Sequence, residues 1–475
     1  MKTLSAAWLF MVAFLLVTSP ALSAGDLPAA PGVIQPNVSC LSDSDMTYAL
    51  YLPTGFTEDR LWPVLVCLDP AARGIVPVER FREGAEQHGF ILIGSNHARN
   101  YDSRSVERSL TAIFNDLGNR YPIHANGVYG TGFSGGARVA LTLASRFGHF
   151  QGVIACGAGF DPRYPPDPFG RFPVLMTLGQ HDSNYCAMRI QYRDLRKYGR
   201  DVGMLLFDGV HDWPKEADCM RALGWLRIRA MASGAAPRDN AWQQTFLSDL
   251  MTWAEQLAGE NRLLEAMCAM ELVEESQAEK ANLMDRIQQL RSRADMQKMR
   301  SDEYEMVQWE MGQMKEIEAI MAHARQPALD IQERSGLRQW VRSRARNYAD
   351  MCSDTDPMQA VAGERMLDFL WRRPFEGIMI EMADHQYDQA IRLGELALIV
   401  QPDNWAAHYN IACAASRKGD LRTAFQSLEQ AIETGLQNPE QIWSDADLGQ
   451  LTSSSKYRKK LERLVPSTPK GVNGD

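Results

Sequence analysis

The chain has no excess of positive charge. Its 50 Lys and Arg face 59 Asp and Glu, for a formal net charge of −9. That removes the basic face on which phosphate binding depends, and with it nucleic acid as a main partner. Neither a CxxC nor an HExxH spacing occurs anywhere, so no metal site is indicated. The longest uninterrupted apolar run lies at the N-terminus, leaving no later segment as a candidate membrane span. Apolar poverty is absent too: 45% apolar and 23% charged residues exclude a mainly disordered chain. At about 100–200 residues per domain, 475 residues predict two to four domains.

The N-terminal run is short. Lys2 precedes twelve apolar residues, Ala6 to Val17, then Ser19-Pro20 and the small residues Ala21-Leu22-Ser23-Ala24. About 20 residues are needed to span a bilayer core, so residues 1–24 are expected to be a signal peptide cleaved after Ser23 or Ala24. An uncleaved anchor is the alternative. No Cys follows the run to carry a lipid. The mature chain is expected in the periplasm or the medium, where disulfides can persist. Five of the eight Cys precede residue 234, an odd number. Cys67 and Cys156 lie in apolar runs and read as core; Cys186 and Cys219 could bridge, a pairing the sequence leaves open.

Between Met46 and Ala230 short apolar runs alternate with helical stretches. Thr47–Leu52, Pro63–Leu68, Phe90–Gly94, Gly127–Phe133, Gly152–Cys156, Pro173–Thr177 and Met204–Phe207 read as strands. Most are continuously apolar, the mark of strands buried on both faces, and their alternation with helices predicts a parallel sheet in an α/β domain. A small-residue stretch at 231–237, ending in Pro237, predicts a linker, so the first domain is expected over 25–233. Strand signals then almost vanish. A helical region is expected over 241–365, where Tyr304, Val307, Met311, Met314, Ile317 and Met321 mark one helix face. Nine of the 23 Met lie between Met267 and Met321, which suits a helix–helix core or an adaptable binding surface.

Gly132-Phe133-Ser134-Gly135-Gly136 is a G-x-S-x-G sequence between a buried strand and a helix. In such a turn the Ser is strained so that Oγ stands clear of the sheet, and the helix N-terminus aims N–H groups at an oxyanion. Ser needs a base to take its proton. Asp182 and His211 follow later strand ends, in the order acid then His, and open α/β sheets place ligands at those ends. The expected triad is Ser134 as nucleophile, His211 as base and then acid, and Asp182 orienting the imidazole. Asp161, after another strand end, is the rival acid. The backbone N–H of Gly135, joined by that of Ala71 or Ala72, is expected to form the oxyanion hole; Pro70 has no N–H to offer. Ser95–Asn100 also follows a strand end and should border the pocket. Arg73, Asn96, Arg99 and Trp213 are candidate substrate contacts, the two Arg for a carboxylate. No cofactor is expected.

These residues carry two resemblances. From about Ser39 to Ala230 the chain resembles the α/β-hydrolase superfamily, and within it the secreted esterases like polyhydroxyalkanoate depolymerases, feruloyl esterases and acetylxylan esterases. The resemblance rests on Tyr48–Pro53, Gly132–Gly136, Gly179–Asp182 and the His211-Asp212-Trp213-Pro214 segment. It departs after Leu68, where that group usually has His-Gly and this chain has Asp69-Pro70. Ala390 and Ala424, Ala397 and Ala431, and Ile391 and Phe425 each recur at the same interval, with Pro402 and Gly419 placed around them. This resembles a tetratricopeptide repeat pair over about Pro374–Gly435, so residues 370–464 are expected to hold such repeats and a capping helix near Lys456–Leu464. Gly394 stands where a bulky side chain is usual.

The expected architecture is therefore an α/β-hydrolase domain with a mostly parallel sheet, followed by an all-α tetratricopeptide-like domain. The expected activity is that of an exported serine hydrolase for small or polymeric carboxylic esters, with the repeats offering a surface to a protein partner. A serine peptidase of the same fold, and an interaction protein with a weakly active hydrolase domain, are the alternatives.

Overall fold

The computed structural model describes residues 30–100, 102–148, 150–161, 172–276 and 281–465. The expected signal peptide lies outside them. Contacts gather the chain into two compact units, one of residues up to Gly179 with Met188–Gln297, the other of Gln180–Ala187 with Lys298 onward.

The first unit is built on eight strands: β1 (Ile34–Ser39), β2 (Thr47–Tyr51), β3 (Trp62–Leu68), β4 (Ile91–Ser95), β5 (Ile123–Phe133), β6 (Val153–Cys156), β7 (Val174–Gly179) and β8 (Val202–Phe207). Their order in the sheet is β1-β2-β4-β3-β5-β6-β7-β8. β2 runs antiparallel to both its neighbours, and every pair from β4–β3 to β7–β8 is parallel. Each residue of β3, β4, β6, β7 and β8 is buried, as their unbroken apolar sequences require of a sheet covered on both faces. Helices α1 (Ile75–His88), α2 (Ser103–Arg120), α3 (Gly135–Phe147), α4 (Tyr185–Lys197) and α5 (Glu216–Ser233) supply the crossovers and the C-terminal cover. This is the α/β-hydrolase fold.

The sheet unit does not stop at the expected linker. Helix α5 ends at Gly234, whose φ of +79° suits a residue without Cβ. Helices α6 (Asn240–Gly259), α7 (Leu263–Glu275) and α8 (Ala281–Arg291) then pack back on the same unit. Leu272 of α7 joins Leu175, Leu205 and Trp225 in the core. It reaches β8 because Gly203 has no side chain there: a Cβ would stand 2.6 Å from Leu272 Cδ2. Small residues at 231–237 mark a turn between packed helices rather than the edge of a domain.

His88, at the end of α1, shows how firmly α6 is seated. Its ring meets Trp242 and Phe246 edge-on at 5.4 and 6.1 Å, its Nε2 pairs with Met220 O at 3.1 Å, and its Nδ1 is buried without a partner. Burial pushes its pKa down to about 4, with Arg227 adding repulsion. The unfolded chain, with an ordinary value of about 6.5, therefore takes up this proton first. The neutral ring's contribution is complete above about pH 6.5 and is lost as pH falls toward 4, by about 3 kcal/mol in all. Urea midpoints of the wild type and His88→Gln, measured at pH 7, 5.5 and 4, should converge as the pH falls. A constant gap would contradict the assignment.

The second unit is helical: α9 (Ala294–Ala324), α10 (Ile331–Met351), α11 (Pro357–Ala383), α12 (Tyr387–Val400), α13 (Trp405–Lys418), α14 (Leu421–Glu433), α15 (Gly449–Ser453) and α16 (Ser455–Leu464). Asp330 and Glu333 close a capping box at the start of α10. The helices from α11 to α14 stack in succession, with Ala390, Ala397, Ala412, Ala424 and Ala431 fully buried between them. Gly394 has its reason here, since a Cβ would stand 2.8 Å from Ile411 Cδ1 of α13. Pro374, where the repeat-like stretch begins, lies inside α11, which Asp356 caps at its N-terminus. On α16, Tyr457 and Leu461 are buried while Lys456, Arg458, Lys459 and Lys460 face solvent.

All eight Cys are free thiols. Cys186 and Cys219, the pair left open by the sequence, are not bridged: Cys186 Sγ lies 3.1 Å from Glu310 Oε2, and Cys219 Sγ lies 3.5 Å from Pro214 O. Among the described residues no helix is long and apolar enough to cross a membrane, and no group of His, Cys, Asp or Glu is placed to hold a metal ion.

Candidate active site

Ser134 sits between the end of β5 and the first turn of α3 with φ 51° and ψ −115°, a strained conformation for any residue with a side chain. Its neighbours make the turn possible. A Cβ on Gly132 would come within 2.6 Å of Ala137 N, and one on Gly136 within 2.8 Å of Leu68 C. The Ser134 N–H donates to Cys156 O at 2.9 Å, tying the turn to the end of β6. The turn sets Ser134, partly buried, at the C-terminal end of β5.

His211 meets it there. Its Nε2 lies 3.1 Å from Ser134 Oγ, within reach for a proton transfer. The loop after β8 can pass the end of β7 because Gly179 has no side chain; a Cβ there would stand 2.7 Å from Gly209 C. Phe133 stacks obliquely against both His211 and Trp213, with ring centroids 4.6 and 5.7 Å away. The imidazole thus rests on a ring from the residue preceding the nucleophile.

Asp69 explains the departure after β3. Its carboxylate is fully buried and accepts from Ala71 N–H (2.9 Å), Arg73 Nε and Nη2 (3.0 Å each) and Trp213 Nε1 (2.9 Å). A buried charge is tolerable only when hydrogen-bonded this fully. Through Trp213 it also anchors the loop that carries His211. Asp69 was not singled out as a site residue from the sequence, although its place at a strand end, two positions before Ala71, was visible.

This network changes several expected roles. The Ala71 N–H is held by Asp69 Oδ1, and the Ala72 N–H donates to Asp69 O at 3.0 Å, with Ala72 in a positive-φ turn. Both groups expected to complete the oxyanion hole are therefore occupied. Arg73 and Trp213 are both bound to Asp69. Arg99 pairs with Asp102 at 3.1 Å. Asn96 Nδ2 contacts Pro36 O, Asn37 Oδ1 and Thr47 Oγ1 at 3.0–3.1 Å. The four candidate substrate contacts are thus all engaged in holding the strand-end loops.

Asp182 belongs to the short segment that groups with the helical unit. It is 1% exposed; its Oδ1 accepts from Asn184 N–H at 2.7 Å and its carbonyl from Tyr185 N–H at 2.8 Å. Nearly every residue around it is anchored on α9 or α11. Arg365 Nη1 donates to Gln180 O (2.8 Å), His181 pairs with Glu364, Arg372 Nε donates to Ser183 Oγ (3.1 Å), and Tyr185 OH donates to Glu303 (3.1 Å). Arg365 is itself locked in a buried pair with Glu310 and lies over the Tyr185 ring at 4.2 Å. Asp161, the rival acid, is 8% exposed after β6.

No family model and no curated protein matches the chain. Similar solved structures include an S-formylglutathione hydrolase from Staphylococcus aureus, at 14% identity, 42% of this chain, 99% of that chain and TM-score 0.34. A ferulic acid esterase is similar at 16% identity over 40% of this chain and 95% of its own, with TM-score 0.33. Est1E from Butyrivibrio proteoclasticus stands at 13% identity over 42% of this chain and 100% of its own, again with TM-score 0.33.

Proposed function

We propose that the α/β unit is a serine hydrolase that cleaves carboxylic esters with Ser134, His211 and Asp182. The observation that carries this reading is the 3.1 Å approach of His211 Nε2 to Ser134 Oγ at a strained strand-to-helix turn. Ser134 Oγ attacks the acyl carbon while His211 takes its proton, and the Gly135 N–H at the start of α3 receives the developing oxyanion. The tetrahedral centre collapses, His211 returns the proton to the leaving alcohol, and the acyl group stays on Ser134. Water, deprotonated by His211, then releases the acid. Asp182 orients the imidazole in this scheme.

Residues 1–24 act in the same reading as an export signal, and the stacked helices α11–α14 as tetratricopeptide-like repeats that offer a surface to a protein partner. The experiment is turnover of short p-nitrophenyl esters beside the matching p-nitroanilides. Ester turnover that disappears in Ser134→Ala supports the proposal. Preference for the anilides would favour a peptidase, and no turnover of either by the folded protein would favour an interaction protein.

A further inference from the structure

An oxyanion hole with one donor is incomplete, and the geometry of this site leaves the second donor to be found. The backbone N–H groups of Ala71 and Ala72 are both spent within the Asp69 turn. Next to that turn runs the segment after β4. Ala71 and Arg99 form an isolated antiparallel bridge, and the Asn100 N–H donates to Pro70 O at 2.9 Å. These two contacts fix the Asn100 backbone against the loop that would ordinarily carry the second donor.

The Asn100 side chain then reaches the residue after the nucleophile. Its carboxamide lies over Gly135 Cα so closely that a Cβ on Gly135 would stand 2.7 Å from Nδ2 and nearer still to Oδ1. The side chain is half-buried and makes no hydrogen bond to another described residue. With no described residue fixing either end, a half-turn about its last bond exchanges Oδ1 and Nδ2, so the amide can present an N–H to a charge that forms beside Ser134. Amide side chains serve as oxyanion donors on the same physical terms as backbone N–H groups.

We infer that Asn100 is a catalytic residue whose side-chain N–H completes, with the Gly135 N–H, the oxyanion hole of the ester hydrolysis proposed above, on which this inference rests. It gives Gly135 a reason to be glycine. Any side chain at that position would displace the carboxamide.

The test compares steady-state ester kinetics of the full chain as wild type, Asn100→Ala and Asn100→Asp, with fluorophosphonate labelling of Ser134 followed alongside. Asn100→Ala should lower kcat about 10²–10³-fold with KM within about threefold, because the donor acts on the transition state more than on bound substrate. Asn100→Asp keeps the shape but places an acceptor where a donor is needed, so it should lose at least as much while its thermal midpoint stays near that of the wild type. Should Asn100→Ala fold poorly, the near-isosteric Asp variant decides. A kcat within threefold of wild type in either folded variant, with Ser134 still labelled, overturns the oxyanion role and leaves the hydrolase reading standing. A loss carried by KM instead of kcat also overturns it. Absence of labelling and turnover in the wild type overturns the hydrolase reading and this inference together.

Discussion

Replacing His211 by alanine is expected to lower kcat on esters by on the order of 10⁶-fold, and replacing Ser134 as well should lower it no further. In the proposed mechanism the two residues act as a unit: an unactivated hydroxyl is a poor nucleophile, and a base with nothing to deprotonate contributes nothing to the acyl transfer. The 3.1 Å contact between Nε2 and Oγ is the structural form of that unit. Both side chains are only partly buried, so neither substitution should disturb the core. The check is kcat for the two single variants and the double variant on one ester. Losses that multiply in the double variant would mean the groups act independently, against a shared proton transfer.

Arg365→Met is expected to destabilise the helical unit by about 3–5 kcal/mol, because it leaves Glu310, which has no exposed surface, as a buried charge without its partner. The double variant Arg365→Met/Glu310→Leu should recover most of that loss, since a well-packed apolar pair often replaces a buried ion pair at little cost. The recovery should not extend to activity. Arg365 also donates to Gln180 O and covers the Tyr185 ring, and Asp182 lies between those two residues. In the proposed mechanism the repacked protein therefore regains its urea midpoint but keeps a lowered kcat. A stability loss under 1 kcal/mol in the single variant, or full activity in the double, would contradict this.

Much of the sheet was legible because its strands are buried on both faces, which writes an unbroken apolar run into the sequence. The turn at Ser134 was legible because only glycines fit where Gly132 and Gly136 pass the neighbouring backbone. Other features depend on contacts between residues far apart in the chain. The buried stripe of α9 runs through Glu303, Val307, Glu310, Met314, Ile317 and Met321, whereas the sequence suggested Tyr304 and Met311 in place of the two Glu. Tyr304 is in fact 54% exposed. An apolar periodicity cannot reveal a carboxylate whose burial is made tolerable by an arginine 55 residues on. Asp69 is the same case: its partners Arg73 and Trp213 lie four and 144 residues away, and only the structure shows that they meet on one buried carboxylate. The segment 231–237 failed as a boundary for a different reason. Small residues and a proline suit a turn between packed helices as well as a linker, and only the seating of Leu272 under Gly203 distinguishes them.

The most direct measurement is mass spectrometry of the protein after brief exposure to a fluorophosphonate, with the adduct located by peptide mapping. One adduct is expected, on the peptide containing Ser134, formed rapidly by the wild type, far more slowly by His211→Ala and not at all by Ser134→Ala. An adduct on another residue, equal labelling of Ser134→Ala, or no adduct on the folded wild type would contradict it.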